Sequence, residues 1–399
     1  MNIAIIDADL VGRSKHRFPN LACMKLSAYY KQNGNTVTLK TDYENLSQYD
    51  KVFISKVFTD TFVDENILSL PNVEYGGTGF FYDKAPKLPE EIEHIMPDYH
   101  LYDEWVNAKI HDGLSYDDCD SEEDKEEKEA IAKRRRKDFT YYLDYSIGFL
   151  SRGCFRQCEF CVNKNYKKCE QHSNVLEFMD PERPKLCFLD DNFFACPQWK
   201  ELIEQVKATG KKFQFKQGLD ERLLTEEKVQ ELMSWKYDGD YIFAFDNIAD
   251  REVIEKKAHL IRRYNKNTGQ NFKFYVLCGF DRNGKYDLDF WKQDINDLFE
   301  RIFILSKYNF KPYIMRFEKY NESPFYGTYV NVACWCNTPS LFRNLSYNQF
   351  CEKDDLRKSN GNGTSATWRY YEQLVALGLE CSKYFDVVPK STILDYKNW

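Results

Sequence analysis

The segment Ser151-Arg152-Gly153-Cys154-Phe155-Arg156-Gln157-Cys158-Glu159-Phe160-Cys161 sets three cysteines at C-x3-C-x2-C, directly after an apolar strand candidate at 146–151. Three thiols within eight residues of one loop can hold three corners of a metal cluster. A structural zinc site closes with four ligands. No second cysteine pair is placed to complete one, and Cys169 and His172 are the nearby candidates for a fourth ligand. Iron–sulfur clusters are usually held by four thiolates, so three would leave one iron with an open corner for a reacting ligand. Arg156 beside the cysteines would help hold an anionic cluster. The alternative is three structural thiols that happen to fall at this spacing.

Outward from this loop, strand and helix patterns alternate. Strand candidates lie at 146–151, 185–190, 212–218, 240–246, 272–279 and 310–317. Between them, residues 197–209 place Trp199, Leu202, Ile203 and Val206 on one helical face, with Pro197 before them and Gly210 after. Residues 287–306 do the same with Trp291, Ile295, Leu298 and Ile302. Six βα units in a row predict a parallel barrel, or most of one, with its site at the C-terminal strand ends. Polar groups recur at those ends: Asp190 and Asp191, then Gln217, Asp220 and Arg222, then Asp246, then Asp281, then Arg316. Asp190 and Asp191 could instead cap a helix, and Arg222 could form an ion pair with Asp220.

Toward the N-terminus, 2–7, 36–40 and 51–55 read as strands and 20–33 as a helix that Gly34 can end. This predicts a doubly wound parallel sheet. The loop after its first strand carries Arg13, Lys15, His16 and Arg17, either as a solvated basic loop or as an anion contact. Gly76-Gly77-Thr78-Gly79 is a turn, and no Gly-Lys-Ser/Thr follows it to make a phosphate loop. Between the two regions, 116–138 is a charge block, acidic first and basic at 133–137, with Ser121 and Asp124 placed as a cap. It reads as a solvated linking helix whose charges suit the helix dipole. Beyond 320 the pattern is irregular, with a helix near 365–379. Cys334, Cys336, Cys351 and Cys381 there are buried structural thiols or, alternatively, ligands of a second cluster; a strand would put the first two on one face.

The chain has 399 residues, 43% hydrophobic, 30% charged and 16% aromatic, which excludes wholesale disorder. Its net charge of −7 excludes a surface that is basic all over, though not a local basic patch. No stretch approaches a membrane span, and the start Met1-Asn2-Ile3-Ala4-Ile5-Ile6-Asp7 reads as a strand and not as a signal peptide. With 13 scattered cysteines the expected setting is cytoplasmic and reducing, without membrane association.

The C-x3-C-x2-C loop after a strand, with Phe160 before its last cysteine, resembles the radical S-adenosylmethionine superfamily over roughly 145–320. The Leu189-Asp190-Asp191-Asn192-Phe193 stretch resembles members with a cobalamin-type N-terminal domain, as does Pro97-Asp98-Tyr99-His100-Leu101-Tyr102. The resemblance implies a Rossmann-like domain at 1–115, a charged helical linker at 116–144, a partial (βα)6 barrel at 145–320 and a mostly helical extension at 321–399. It implies that Cys154, Cys158 and Cys161 ligate a [4Fe–4S] cluster. S-adenosylmethionine would then bind at Phe160, Asp190 or Asp191, Gln217, Arg222 and Asp246. The reaction implied is reductive cleavage of S-adenosylmethionine to a 5′-deoxyadenosyl radical that takes hydrogen from a substrate. An external one-electron reductant of the flavodoxin or ferredoxin type is implied as partner. The substrate class stays open among nucleosides or nucleic acids, peptides and small metabolites. The D-x-H-x-x-G signature is absent, with His16 in Lys15-His16-Arg17-Phe18, which leaves cobalamin in doubt. A methylthiotransferase would need three further N-terminal cysteines, and before the charge block only Cys23 is present. The alternatives are a non-catalytic iron–sulfur sensor or electron carrier, and a zinc-binding module that uses the basic run on nucleic acid.

Overall fold

The computed structural model describes residues 1–115, 121–164, 166–265 and 272–399. Residues 116–120, the acidic start of the charge block, lie outside the described residues. The chain divides into two compact units: Met1–Asp191 with Cys196–Gln214, and Asn192–Ala195 with Phe215–Trp399.

The first unit opens with β1 (Asn2–Asp7), β2 (Thr36–Lys40), β3 (Lys51–Ser55) and β4 (Val73–Gly76), a parallel sheet in the order β2-β1-β3-β4. The near-continuous apolar run of β1 suits a strand covered on both faces. Ile3, Ile5 and Phe53 pack with Cys23 and Met24 of the helix Leu21–Gln32, which Asn20 caps. Ala4, Ile6, Val52 and Ile54 pack on the other face with Leu46 and Val63. The expected parallel sheet is present. The glycine stretch has a packing role. A Cβ on Gly77 would stand 2.2 Å from the Lys56 carbonyl oxygen, and Gly77 has φ +102°, so only glycine lets these backbones approach.

The helix Glu122–Arg136 begins at Ser121, whose side chain accepts the Asp124 N–H. It is mostly exposed, but Ala132 joins the core beneath Ile3, as do Phe139 and Tyr142 beyond it. Part of its basic run is spent locally: Arg135 donates to the carbonyls of Ile110 and Asp112, and Arg136 pairs with Asp144 at 2.7 Å.

The next strands are β5 (Tyr145–Gly148), β6 (Ser151–Arg152), β7 (Glu170–Gln171), β8 (Lys185–Phe188) and β9 (Lys212–Phe215). β5, β8 and β9 form a sheet in that order, with β5 and β8 parallel, while β6 and β7 pair antiparallel. Tyr99 ties the segment before the charge block to β5. Its hydroxyl accepts the Ile147 N–H at 2.8 Å and donates to the Phe178 carbonyl at 2.7 Å.

In the second unit β10 (Tyr241–Ala244), β11 (Phe272–Cys278) and β12 (Lys311–Arg316) form a parallel sheet in that order. All six strands expected after residue 145 are present, but among the described residues they pair as two three-stranded sheets. The strand expected at 212–218 stops at Phe215. Gly218 has φ +100°, and the Leu219 N–H bonds instead to the Ile242 carbonyl at 2.7 Å. The end of the chain is helical, with Tyr326–Cys336, Pro339–Asn344, Tyr347–Ser359 and Ala366–Ala376. Cys334 and Cys336 therefore lie on a helix and not on a strand. Two residues on a helix diverge, and Cys334 is exposed while Cys336 is buried. No described helix is long and apolar enough to cross a membrane.

Candidate functional site

The cysteine loop is closed at its base by the β6–β7 pair, which sets Ser151 against Gln171 and Arg152 against Glu170. Gly153 begins the loop at φ +101°, and a Cβ there would meet the Lys168 carbonyl oxygen at 2.1 Å. Any other residue would open the base. Gln157 crosses the loop: its Nε2 donates to the carbonyls of Cys154 at 3.0 Å and Tyr166 at 2.7 Å. Lys164 donates to the Gln157 and Cys158 carbonyls.

Cys154, Cys158 and Cys161 are all half-buried on this loop. The Arg156 N–H points at Cys154 Sγ and the Asn163 N–H at Cys161 Sγ, each at 3.4 Å. Backbone donors to sulfur favour a thiolate or a cluster-bound sulfur over a buried neutral thiol. Burial pushes the Cys161 thiol upward, and the Asn163 N–H and the Lys164 ammonium oppose it. No three His, Cys, Asp or Glu side chains among the described residues converge on a single metal ion. Three thiols on one loop, two of them with a backbone N–H on sulfur, are a donor set that fits an iron–sulfur group.

Both candidates for a fourth protein ligand have other partners. Cys169 is buried against Cys196 and Ser151. His172 stacks on His94 at 4.8 Å, with its Nε2 3.4 Å from Glu93. Glu93 gathers Lys25 at 2.8 Å and Arg152 at 3.7 Å. Burial works against its carboxylate, yet hydrogen bonds from His172 and Lys25 and the charges of Lys25 and Arg152 win, and its pKa falls to about 2.

The two aspartates after β8 hold the loop from behind. Asp190 is fully buried and takes three donors: Leu150 N–H at 3.1 Å, Ser151 N–H at 2.7 Å and Ser151 Oγ at 2.7 Å. Burial dominates these bonds and raises its pKa to about 7. Asp191 uses one oxygen on the Gly153 N–H at 2.7 Å and is half-buried. Phe160 is half-buried, and its carbonyl accepts the Tyr82 hydroxyl at 3.2 Å.

The remaining expected residues belong to the second unit. Gln217 is exposed. Arg222 pairs with Asp220 at 2.8 Å and Asp250 at 3.1 Å, the ion-pair alternative that the sequence left open. Asp246 accepts the Leu277 N–H at 3.2 Å, and buried Arg301 binds the carbonyls of Phe245, Asp246 and Leu277. Arg316 is exposed and bonds the Tyr320 hydroxyl at 3.2 Å. A residue with no assigned role in the sequence reading stands out here. Glu221 is fully buried; one oxygen accepts the Ala244 N–H at 3.1 Å and the other has no hydrogen-bond partner. Burial, reinforced by Asp220, lifts its pKa to about 8. Its only sequence signal was an acid beside Asp220 and Arg222 at a strand end. In the first unit His16 stands edge-on to Phe58, with Nε2 4.0 Å from Asp7.

No family model and no curated protein sequence matches the chain. Among solved structures it is similar to the cobalamin-dependent S-adenosylmethionine radical enzyme OxsB with aqua-cobalamin bound, at 12% identity and a TM-score of 0.32, over 79% of this chain and 49% of that one. The chain thus spans about half the length of that structure, and so low a TM-score supports no shared function.

Proposed function

We propose that this chain is a radical S-adenosylmethionine enzyme whose Cys154, Cys158 and Cys161 hold a [4Fe–4S] cluster through three thiolates. The observation that carries the reading is the cysteine loop itself: three half-buried thiols at C-x3-C-x2-C, two with a backbone N–H on sulfur, and both nearby spare ligands engaged elsewhere. When bound, the cluster and S-adenosylmethionine supply reductive bond cleavage and hydrogen abstraction.

The chain's own residues supply position and charge. Asp190 fixes the strand-to-loop turn through Leu150 and Ser151, and so sets where the thiols stand. Asp191 keeps one oxygen for an ammonium group, which places it better than Asp190 for the methionyl nitrogen. The Phe160 backbone is assigned to the adenine side. Gln217, Arg222 and Asp246, which the resemblance offered for the cofactor, have no part in the proposal. Cobalamin is left out of the proposal. The electron donor is an external one-electron carrier.

The test is anaerobic reconstitution followed by reduction in the presence of S-adenosylmethionine. Formation of 5′-deoxyadenosine supports the reading. Bound iron without any cleavage, and without any response of the cluster to S-adenosylmethionine, favours a sensor or electron carrier.

A further inference from the structure

A row of contacts in the first unit joins the loops that follow β1, β3 and β4 to the cysteine loop. The Arg13 guanidinium lies 4.3 Å over the Phe58 ring, and His16 meets the same ring edge-on. Thr78 Oγ1 donates to the Val57 carbonyl at 3.1 Å, and the Tyr82 hydroxyl reaches the Phe160 carbonyl. Lys87 Nζ lies 4.2 Å over the Tyr166 ring.

Large rings stand open along this row. Phe58, Tyr82 and Phe155 are exposed, and Phe62 is 82% exposed. Exposed rings on loops that contact one another mark a contact surface. Two of the segments that the row joins are basic in an acidic chain. Segments 10–20 and 152–168 carry Arg13, Lys15, Arg17, Arg152, Arg156, Lys164, Lys167 and Lys168 against one acid, Glu159, while the whole chain has net charge −7. Some of these cations are spent within the unit, Arg13 on Asp60 and Lys168 on Glu170. Lys15 and Lys167 are exposed and form no ion pair with a described residue.

Exposed rings, with a guanidinium on one face of Phe58 and of Phe155, and lysines in no ion pair with a described residue match the chemistry of a single-stranded nucleic acid, whose bases stack on rings while its phosphates meet lysines. We propose that this surface binds a single-stranded nucleic-acid segment, with bases on Phe58, Phe62 and Phe155 and phosphates at Lys15 and Lys167. A duplex keeps its bases stacked on each other and cannot use the rings. An acidic redox protein would use the charges without needing the rings. The binding goes beyond the cluster chemistry and does not depend on it.

The test is fluorescence anisotropy of the purified full chain with a labelled oligonucleotide of about 20 mixed bases, as RNA, as DNA and as the duplex. The single strand binds at least about tenfold tighter than the duplex, and whichever of RNA or DNA binds better identifies the strand. Phe62→Ala and Phe155→Ala each weaken binding by about tenfold, and Phe62→Tyr restores it. Lys15→Ala and Lys167→Ala each flatten the salt dependence by roughly 0.7 in log–log slope. Phe62→Ala decides the matter if Phe155→Ala lowers the melting temperature, because Phe62 is almost fully open. Absent binding, equal binding of the duplex, or ring variants that bind as the parent chain would each overturn the proposal. The last outcome would point to an acidic protein partner.

Discussion

The cysteine loop and the strand-end polar groups of the second unit were read from the same kind of sequence pattern, and the structure treats them differently. In the loop, Asp190, Asp191, Gln157 and Lys164 spend their hydrogen bonds on backbone and, for Asp190, on the Ser151 hydroxyl too, and the three thiols are left at the half-exposed surface. In the second unit, Arg222 and Asp246 are themselves bound by Asp220, Asp250 and the Leu277 amide. A motif compressed into one loop leaves its chemical groups presented while neighbours hold the frame. Groups scattered over separate strands are absorbed into holding those strands together. The lesson is to look for chemistry at groups with spare valence, and in the second unit Glu221 is one such group.

The largest contrast is expected from Cys158→Ala. It should reduce iron from about four atoms per chain to below about one, and S-adenosylmethionine cleavage by at least about a thousandfold, by iron assay and product chromatography. Arg222→Ala, by comparison, should leave iron content unchanged.

Breaking the frame should come next. Asp190→Ala strands two buried N–H groups and a hydroxyl, at a cost of about 3 kcal/mol in a denaturant titration, and should lower cluster loading. Gly153→Ala should cost about 2 kcal/mol or more, from its positive φ and the clash with the Lys168 carbonyl.

The buried carboxyls set the pH dependence. Asp7 and Asp190 have pKa values raised to about 7 and Glu221 to about 8, in each case chiefly by burial. Unfolded carboxyls titrate near about 4. Their stabilising contribution is complete below that range and is lost as pH rises through the folded values. The thermal midpoint should therefore fall between about pH 4 and about pH 8, and Glu221→Gln should flatten the upper part of that fall. Glu93 has the opposite sign. Its contribution is present above about 4.5 and is lost only as pH falls toward about 2, outside this window.

The smallest effect belongs to Cys334→Ser. The residue is exposed on the helix Tyr326–Cys336, so iron content should be unchanged and stability altered by less than about 0.5 kcal/mol.

The parallel sheets were legible because strand periodicity and turn residues are local signals. β1, β3, β8, β11 and β12 fall within a residue or two of their expected spans. Strand ends were less legible. β9 stops early because Gly218 takes a left-handed conformation and Leu219 bonds to Ile242, a partner 23 positions away. The sequence assigns the C-x-C pair to no element because two cysteines around a tryptophan carry no periodicity, whereas the helix is set by the packing of Trp335 among Phe342 and Tyr347. The positions of the three cysteines were readable from spacing. The duty of Asp190 was not, because whether a carboxylate meets backbone or ligand depends on where a loop 40 residues earlier folds back.

The most direct test is electron paramagnetic resonance of the reduced, anaerobically reconstituted full chain with and without S-adenosylmethionine. An iron–sulfur signal that shifts when the nucleoside is added, and that is lost in Cys158→Ala, is the expected result. A signal indifferent to the nucleoside, or a chain that takes up zinc and no iron, would contradict a cluster held by three cysteines with one iron left open.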